Sequence, residues 1–291
     1  MKKFFCTLLF VFLAAACVFA VEWPQEDKSA ESIMSYFGQN IEGNISKSLI
    51  FTEPSEVKAV KDGRILIVMS DIEDDSEFFP SALGACVILA HDDDLISVYA
   101  NLDKDTIQQT VQDKSSASEG EIIAETGNTG WQKNRSSLEF QIIDTQKSAA
   151  INPKILLPRT ENEKPYSLTG VILKNKEGTV YDLRENKIFP SGSYKIYHTR
   201  NKIAVPYKIT ATLNGVVRDE IAFDTVGMQN GKLYVTGKNG DKLYTASEIY
   251  PDDNTILCGD IMLTPGKFTL AIEIEDFLGK ISQVSYILSI Y

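Results

Sequence analysis

From Val57 to the C-terminus, apolar residues come in short runs with a two-residue period, and turn residues end each run before a helix-length pattern can form. Side chains alternate between the faces of a strand, so each run offers one face for burial and needs a partner sheet. In the first half the runs are 57–60, 63–68, 85–89, 95–99, 121–124 and 138–142. In the second, the alternation over 207–213 meets Asn214-Gly215, a strong type I′ hairpin signal, and returns over 216–223. Phe268, Leu270, Ile272 and Ile274 share a face, 276–280 turns the chain, and Val284, Tyr286, Leu288 and Ile290 come back. The spacing predicts an all-β chain whose second part is an immunoglobulin-like β-sandwich. Ile107 to Val111 reads as one helical turn. Ile33, Met34, Tyr36 and Phe37 give a short helical pattern in the polar stretch 21–40, of which 21–36 reads as a lead-in segment.

Met1-Lys2-Lys3 followed by an apolar run to Ala16 reads as a signal peptide over 1–20, with Val18-Phe19-Ala20 as the cleavage signal. A competing reading takes Ala14-Ala15-Ala16-Cys17 as a lipobox, with a lipid anchor on Cys17. No later apolar run reaches the ~20 residues of a membrane span. The expectation is an exported protein of the periplasm or cell envelope. Its formal charge of −11 becomes −13 once Lys2 and Lys3 are removed. That balance argues against nucleic acid and against docking on anionic lipid.

About 270 mature residues predict two domains, and the polar, proline-flanked stretch 158–165 places the boundary between 37–158 and 159–291. This stretch predicts a protease-sensitive link or a modest contact between halves. Cys86 and Cys258 read as two buried thiols rather than a disulfide.

The segment Gly127-Asn128-Thr129-Gly130 … Ser137-Leu138-Glu139-Phe140-Gln141 resembles the "G-x-T-G … H-L-H-F-E" signature of lysostaphin/LytM-type zinc endopeptidases, which cut peptidoglycan cross-links. Further pieces follow in order. Phe37-Gly38 comes first, and residues 57–65 resemble "V-x-A-x-x-D-G-x-V". Val87 to His91 resembles "V-x-I-x-H", and Tyr99-Ala100-Asn101-Leu102 resembles "Y-x-H-L". Val111 to Ala124 and Ile151-Asn152-Pro153 complete the series. The resemblance implies a LytM-type antiparallel sheet folded over a groove across 37–158.

It also implies where the chemistry should be. Ser46 and Ile50 stand at the first two zinc-ligand positions, Glu139 at the last, and Asn101 and Ser137 at the two histidines that assist catalysis. The chain has only two histidines, His91 and His198. A zinc hydrolase needs three protein ligands and an open position for water. Zinc is therefore expected to be absent and the domain inactive. Glu139 reads as a solvated strand carboxylate. His91 reads as a turn histidine, and Asp92-Asp93-Asp94 and the loop Asp71, Glu73, Asp74, Asp75 as solvated turns. His198 has no partner within reach by sequence. Asn101, Trp131, Ser137 and Glu139 form the candidate binding groove, with Trp131 either beside Lys133 and Arg135 at its rim or tucked into the core.

Non-catalytic relatives of this kind activate cell-wall hydrolases or serve as scaffolds. The resemblance thus implies an envelope protein that binds peptidoglycan or regulates a cell-wall hydrolase. The alternatives are a cell-wall metalloendopeptidase with residual or altered activity and a structural subunit of an envelope complex.

Overall fold

The two-residue period becomes strand almost throughout. The computed structural model describes residues 21–27, 29–70, 81–132, 136–160, 165–202 and 204–291. The signal region with Cys17, the acidic loop at 71–75, and Lys133 and Arg135 lie outside the described residues.

In the first half, the antiparallel sheet runs in the order Ser116–Ala117, Gly63–Met69, Cys86–Ala90, Leu95–Ala100, Glu139–Asp144, Ala149–Ile151. The turn between Cys86–Ala90 and Leu95–Ala100 closes with His91 N–H donating to Leu95 O at 2.9 Å. Asp94 there takes the left-handed φ of 61° that Asp tolerates better than most residues. Leu49–Phe51 pairs with the start of Glu139–Asp144, placing Ile50 opposite Glu139. The expected helical turn is an α-helix, Lys104–Thr110, capped by Asp103 and pinned by fully buried Ile107.

The lead-in differs from its sequence reading. Ala30–Ser32 is a single 3₁₀ turn and Ile33–Ser35 is a strand paired with Leu49–Phe51. Upstream, Val21 and Trp23 are buried, and the Trp23 indole N–H donates to Pro158 O at 2.8 Å. Burial of these two apolar side chains outweighs the polar average of the segment.

The second half is a two-layer β-sandwich. One layer orders Lys208–Leu213 between Val216–Gln229 and Gly266–Glu275, with Ile281–Ile290 beyond. Asn214 and Gly215 have φ of 51° and 77°, as a type I′ hairpin requires. The inward residues Ile209, Ala211 and Leu213 are buried, matching the predicted alternation. The other layer runs Val180–Asp182, Ile172–Asn175, Gly192–Thr199, Thr255–Leu263. Ile188–Phe189 joins Ile281–Ile290 in parallel, an exception to the antiparallel pattern.

The contact between the halves is more than modest. Ala150 and Ile151 pair with Val226 and Thr225, so one backbone ladder runs through both halves. Asn152 N–H donates to Asp224 O at 2.8 Å, and its side-chain amide donates to Phe223 O at 3.0 Å. Across the same seam, Tyr250 O–H donates to Gly38 O at 2.6 Å. Gly38 has φ of 85°, and a Cβ there would stand 2.9 Å from the Phe223 ring. Only glycine satisfies both demands.

Candidate functional site

Glu139 opens its strand between Ile50 on one side and Ala100 on the other. Alternation sends Phe140 and Ile142 into the core, Phe140 against Tyr99 with ring centroids 5.4 Å apart. Glu139 and Gln141 therefore share the opposite face, which faces the groove. The carboxylate is not solvated, as the sequence suggested; Glu139 is only 6% exposed. A buried carboxylate needs donors for its lone pairs. Oε1 accepts from Ser48 Oγ at 2.6 Å and Gln141 Nε2 at 3.0 Å, and Oε2 accepts from Trp131 Nε1 at 2.7 Å and Gln132 Nε2 at 3.3 Å. Neutral donors thus occupy both oxygens.

Asn101 and Ser137 are framework, not groove wall. Asn101 is buried with φ of 62°, a conformation Asn adopts more readily than most residues. Its Oδ1 accepts from Thr129 N at 3.0 Å and Gly130 N at 2.8 Å, while Nδ2 donates to Ser137 O at 2.7 Å. One side chain thus ties the Gly127–Gly130 turn to the approach of the Glu139 strand. Ser137 is buried as well, and its hydroxyl donates to Gln132 Oε1. The glycine-threonine motif has the same framework duty. Thr129 Oγ1 donates to Leu102 O at 2.9 Å and accepts from Ala85 N at 2.9 Å. A Cβ on Gly127 would fall 2.2 Å from Leu102 O.

The groove itself is a cavity of about 300 Å³. Ser46, Ile50, Trp131 and Glu139 line it together, although they are distant in sequence, and Leu233 from the second half closes one side. Trp131 is 43% exposed while its N–H is anchored on Glu139, so its ring stands at the rim with an open face. Sequence reasoning missed Ser48, Gln132 and Gln141. The signal available was Gln141, two positions from Glu139 on the same strand face.

The residues at the groove do not fit a zinc ion. Ser46 Oγ donates to Ser48 O at 3.1 Å, Ile50 offers no donor atom, and Glu139 has both oxygens engaged. Among the described residues no three His, Cys, Asp or Glu side chains cluster as a metal site. Both histidines are committed elsewhere. His91 bonds Asp62 O at 2.8 Å through Nδ1 and Ser97 Oγ at 2.9 Å through Nε2. His198, on the sandwich, is fully buried and has a partner after all in Tyr166 O–H, 3.1 Å from Nε2. Burial pushes its imidazole down to about 4. Asp93 is ion-paired with Lys61, and Asp94 accepts from Gln146 at 2.6 Å, so this turn is partnered rather than merely solvated. Cys86 and Cys258 are buried free thiols, as expected, and desolvation pushes Cys86 up to about 11.

Residues 47–153 match the family model described as Peptidase family M23, and a second model, which carries no description, matches 165–291. The murein hydrolase activator NlpD of Escherichia coli K12 is 28% identical over 137 residues, covering 47% of this chain and 31% of NlpD. NlpD of Salmonella typhimurium is 27% identical over 145 residues, covering 50% of this chain and 33% of NlpD. The chain thus spans about a third of the length of these curated relatives. An uncharacterized Treponema pallidum protein is 28% identical over 132 residues, 43% of this chain and 87% of that protein. Among solved structures, the catalytic domain of lysostaphin from Staphylococcus simulans aligns at 20% identity with a TM-score of 0.32, covering 42% of this chain and 87% of that one. The chain carries a LytM-type M23 domain.

Proposed function

We propose that the M23 domain of this chain is a non-catalytic binding module of the cell envelope, which engages peptidoglycan or a cell-wall hydrolase through the groove bordered by Trp131 and Glu139. The observation that carries this reading is the engagement of both Glu139 oxygens by neutral donors at the position the family gives to its last zinc ligand. Peptide hydrolysis needs an activated water and a group to take its proton. Among the described residues, the side chains lining this groove are hydroxyls, one amide, apolar groups, the Lys47 ammonium, the Glu42 carboxylate on the Asn40–Ile45 hairpin, and the saturated Glu139 carboxylate. The carboxylate at the motif position, Glu139, is not free to take a proton from water, whereas binding needs only a concave surface with an aromatic face and a few polar groups. The NlpD relatives, named as murein hydrolase activators, support a regulatory role over a hydrolytic one. Export to the envelope belongs to the same proposal.

The test is paired. The mature chain is co-sedimented with peptidoglycan sacculi and with a purified cell-wall amidase, alone and as Trp131→Ala and Glu139→Lys. Binding that weakens in both variants, with no soluble muropeptides released by the wild type, is the expected result. Muropeptide release by the wild type alone overturns the non-catalytic reading, and unchanged binding in both variants moves the site out of the groove.

A further inference from the structure

The second sheet of the sandwich carries a cluster of lysines that the groove does not involve. In its two interior strands, Lys174 lies directly opposite Lys195. Like charges facing one another across an antiparallel pair destabilise it. Lysines often protect edge strands from unwanted pairing, but these two stand on interior strands, where no edge needs protection. The next strand places Asp260 opposite Lys195, which should relieve the repulsion. Asp260 Oδ2, however, is held by Lys242 at 2.6 Å, and that same ammonium is 3.0 Å from buried Asp219. Among the described residues, Lys174, Lys195 and nearby Lys176 have no carboxylate within ion-pair distance. All three are exposed, on a chain whose formal charge is −11.

The same three lysines line an open cleft of about 610 Å³. Its lining adds Tyr197 and Met262, 63% exposed, with Asn175 and Ser193 as uncharged polar groups, and one carboxylate, Asp260, which Lys242 neutralises at 2.6 Å. The cleft lies on the face of the sheet, and the backbone of Ile172–Asn175 and Gly192–Thr199 is already paired on both sides. A peptide would find no free ladder to extend there. A ligand recognised by side chains alone fits better. Ammonium groups suit anionic substituents, amide and hydroxyl suit ring hydroxyls, and the tyrosine and thioether surface suits the apolar face of a sugar ring.

We infer that this cleft binds an anionic saccharide, carrying carboxylate or phosphate groups, through Lys174, Lys176 and Lys195. The site is separate from the groove and does not rest on the function proposed for it.

The test is calorimetric titration of the full mature chain with trigalacturonate and with pentamannose phosphate, against neutral chitotriose and against polyglutamate. At least one anionic saccharide should bind with Kd below about 1 mM. Binding should weaken at high salt, as charge pairing requires. It should fall at least tenfold in Lys174→Ser/Lys195→Ser, whose fold is checked by circular dichroism. Lys174→Arg/Lys195→Arg should retain it. The two saccharides separate a carboxylate ligand from a phosphate ligand. Absence of binding by both, equal binding by the serine variant, or polyglutamate binding as tightly as either saccharide would each overturn the inference.

Discussion

The Trp131 indole N–H donates to Glu139 Oε2 at 2.7 Å, joining the half-exposed rim of the groove to the buried charge at its base. Removing one partner leaves the other with an unmet hydrogen bond, which costs about 1–3 kcal/mol when buried. Trp131→Phe keeps the aromatic face and loses the N–H, so it should destabilise the chain by about 1 kcal/mol in urea titration. Glu139→Gln should cost more, about 2 kcal/mol, because its new amide must face donors. A Glu139→Gln variant as stable as the wild type would mean that the network contributes nothing to folding.

Zinc content gives a direct check on the groove. Ser46, Ile50 and Glu139 line one cavity, so the positions that matter for a metal are gathered even though the donors are wrong. The wild type should carry no stoichiometric zinc by elemental analysis. Ser46→His/Ile50→Asp/Glu139→His should take up about one zinc per chain, the number a three-ligand site with an open position holds. Asn101 and Ser137 are left alone in this design because they brace the surrounding loop. Chelator-removable zinc in the wild type, or a folded triple variant that binds none, would each refute the expectation.

How much of this was legible depends on whether a residue's environment is local. The hairpin at Asn214-Gly215 and the inward set Ile209, Ala211 and Leu213 follow from backbone preference and strand period, and both are where the sequence put them. Gly127 and Thr129 were singled out only through the motif resemblance, and the fixed backbone geometry they serve came with the structure. Glu139 was misread because Leu138-Glu139-Phe140-Gln141 has the alternation of a half-solvated strand. Its burial comes from Ser48, 91 residues away, and from a loop that folds back over it. Asn101 and Ser137 were assigned to the groove by position in a motif, yet their side chains are consumed by loop bracing. The contribution of Leu233 to the groove had no sequence signal, because no periodicity reports how two halves meet.

His198 sets a pH dependence that can be isolated. Its imidazole is pushed from the ordinary 6.5 down to about 4 by burial, with Tyr166 O–H facing Nε2. The unfolded chain therefore binds the proton more readily between these values. Stability is fully present above pH 6.5 and is lost as pH falls through about 4. The shift corresponds to about 3 kcal/mol. His198→Gln should flatten the fall of Tm across this window while leaving the acid transition from carboxylates below it. An identical slope in wild type and variant would remove His198 as the cause.

The seam between the halves should make the chain unfold as one unit. The ladder through Ala150 and Ile151 continues into Val226 and Thr225, and Asn152 adds bonds to Asp224 and Phe223 on the same edge. Trp23, from the start of the first half, is buried with its N–H on Pro158 O, at the end of that half. Pulling the sandwich away would expose strand edges as well as apolar surface, so neither half has an intact native boundary without the other. A single calorimetric transition is expected, with the calorimetric enthalpy matching the van't Hoff value. Asn152→Ala should lower its Tm, losing about 1–2 kcal/mol from the Phe223 bond. Gly38→Ala should lower it further, because φ of 85° and the Phe223 ring both resist a side chain. Two resolved transitions, with Asn152→Ala affecting only one, would show that the halves fold independently despite the shared ladder.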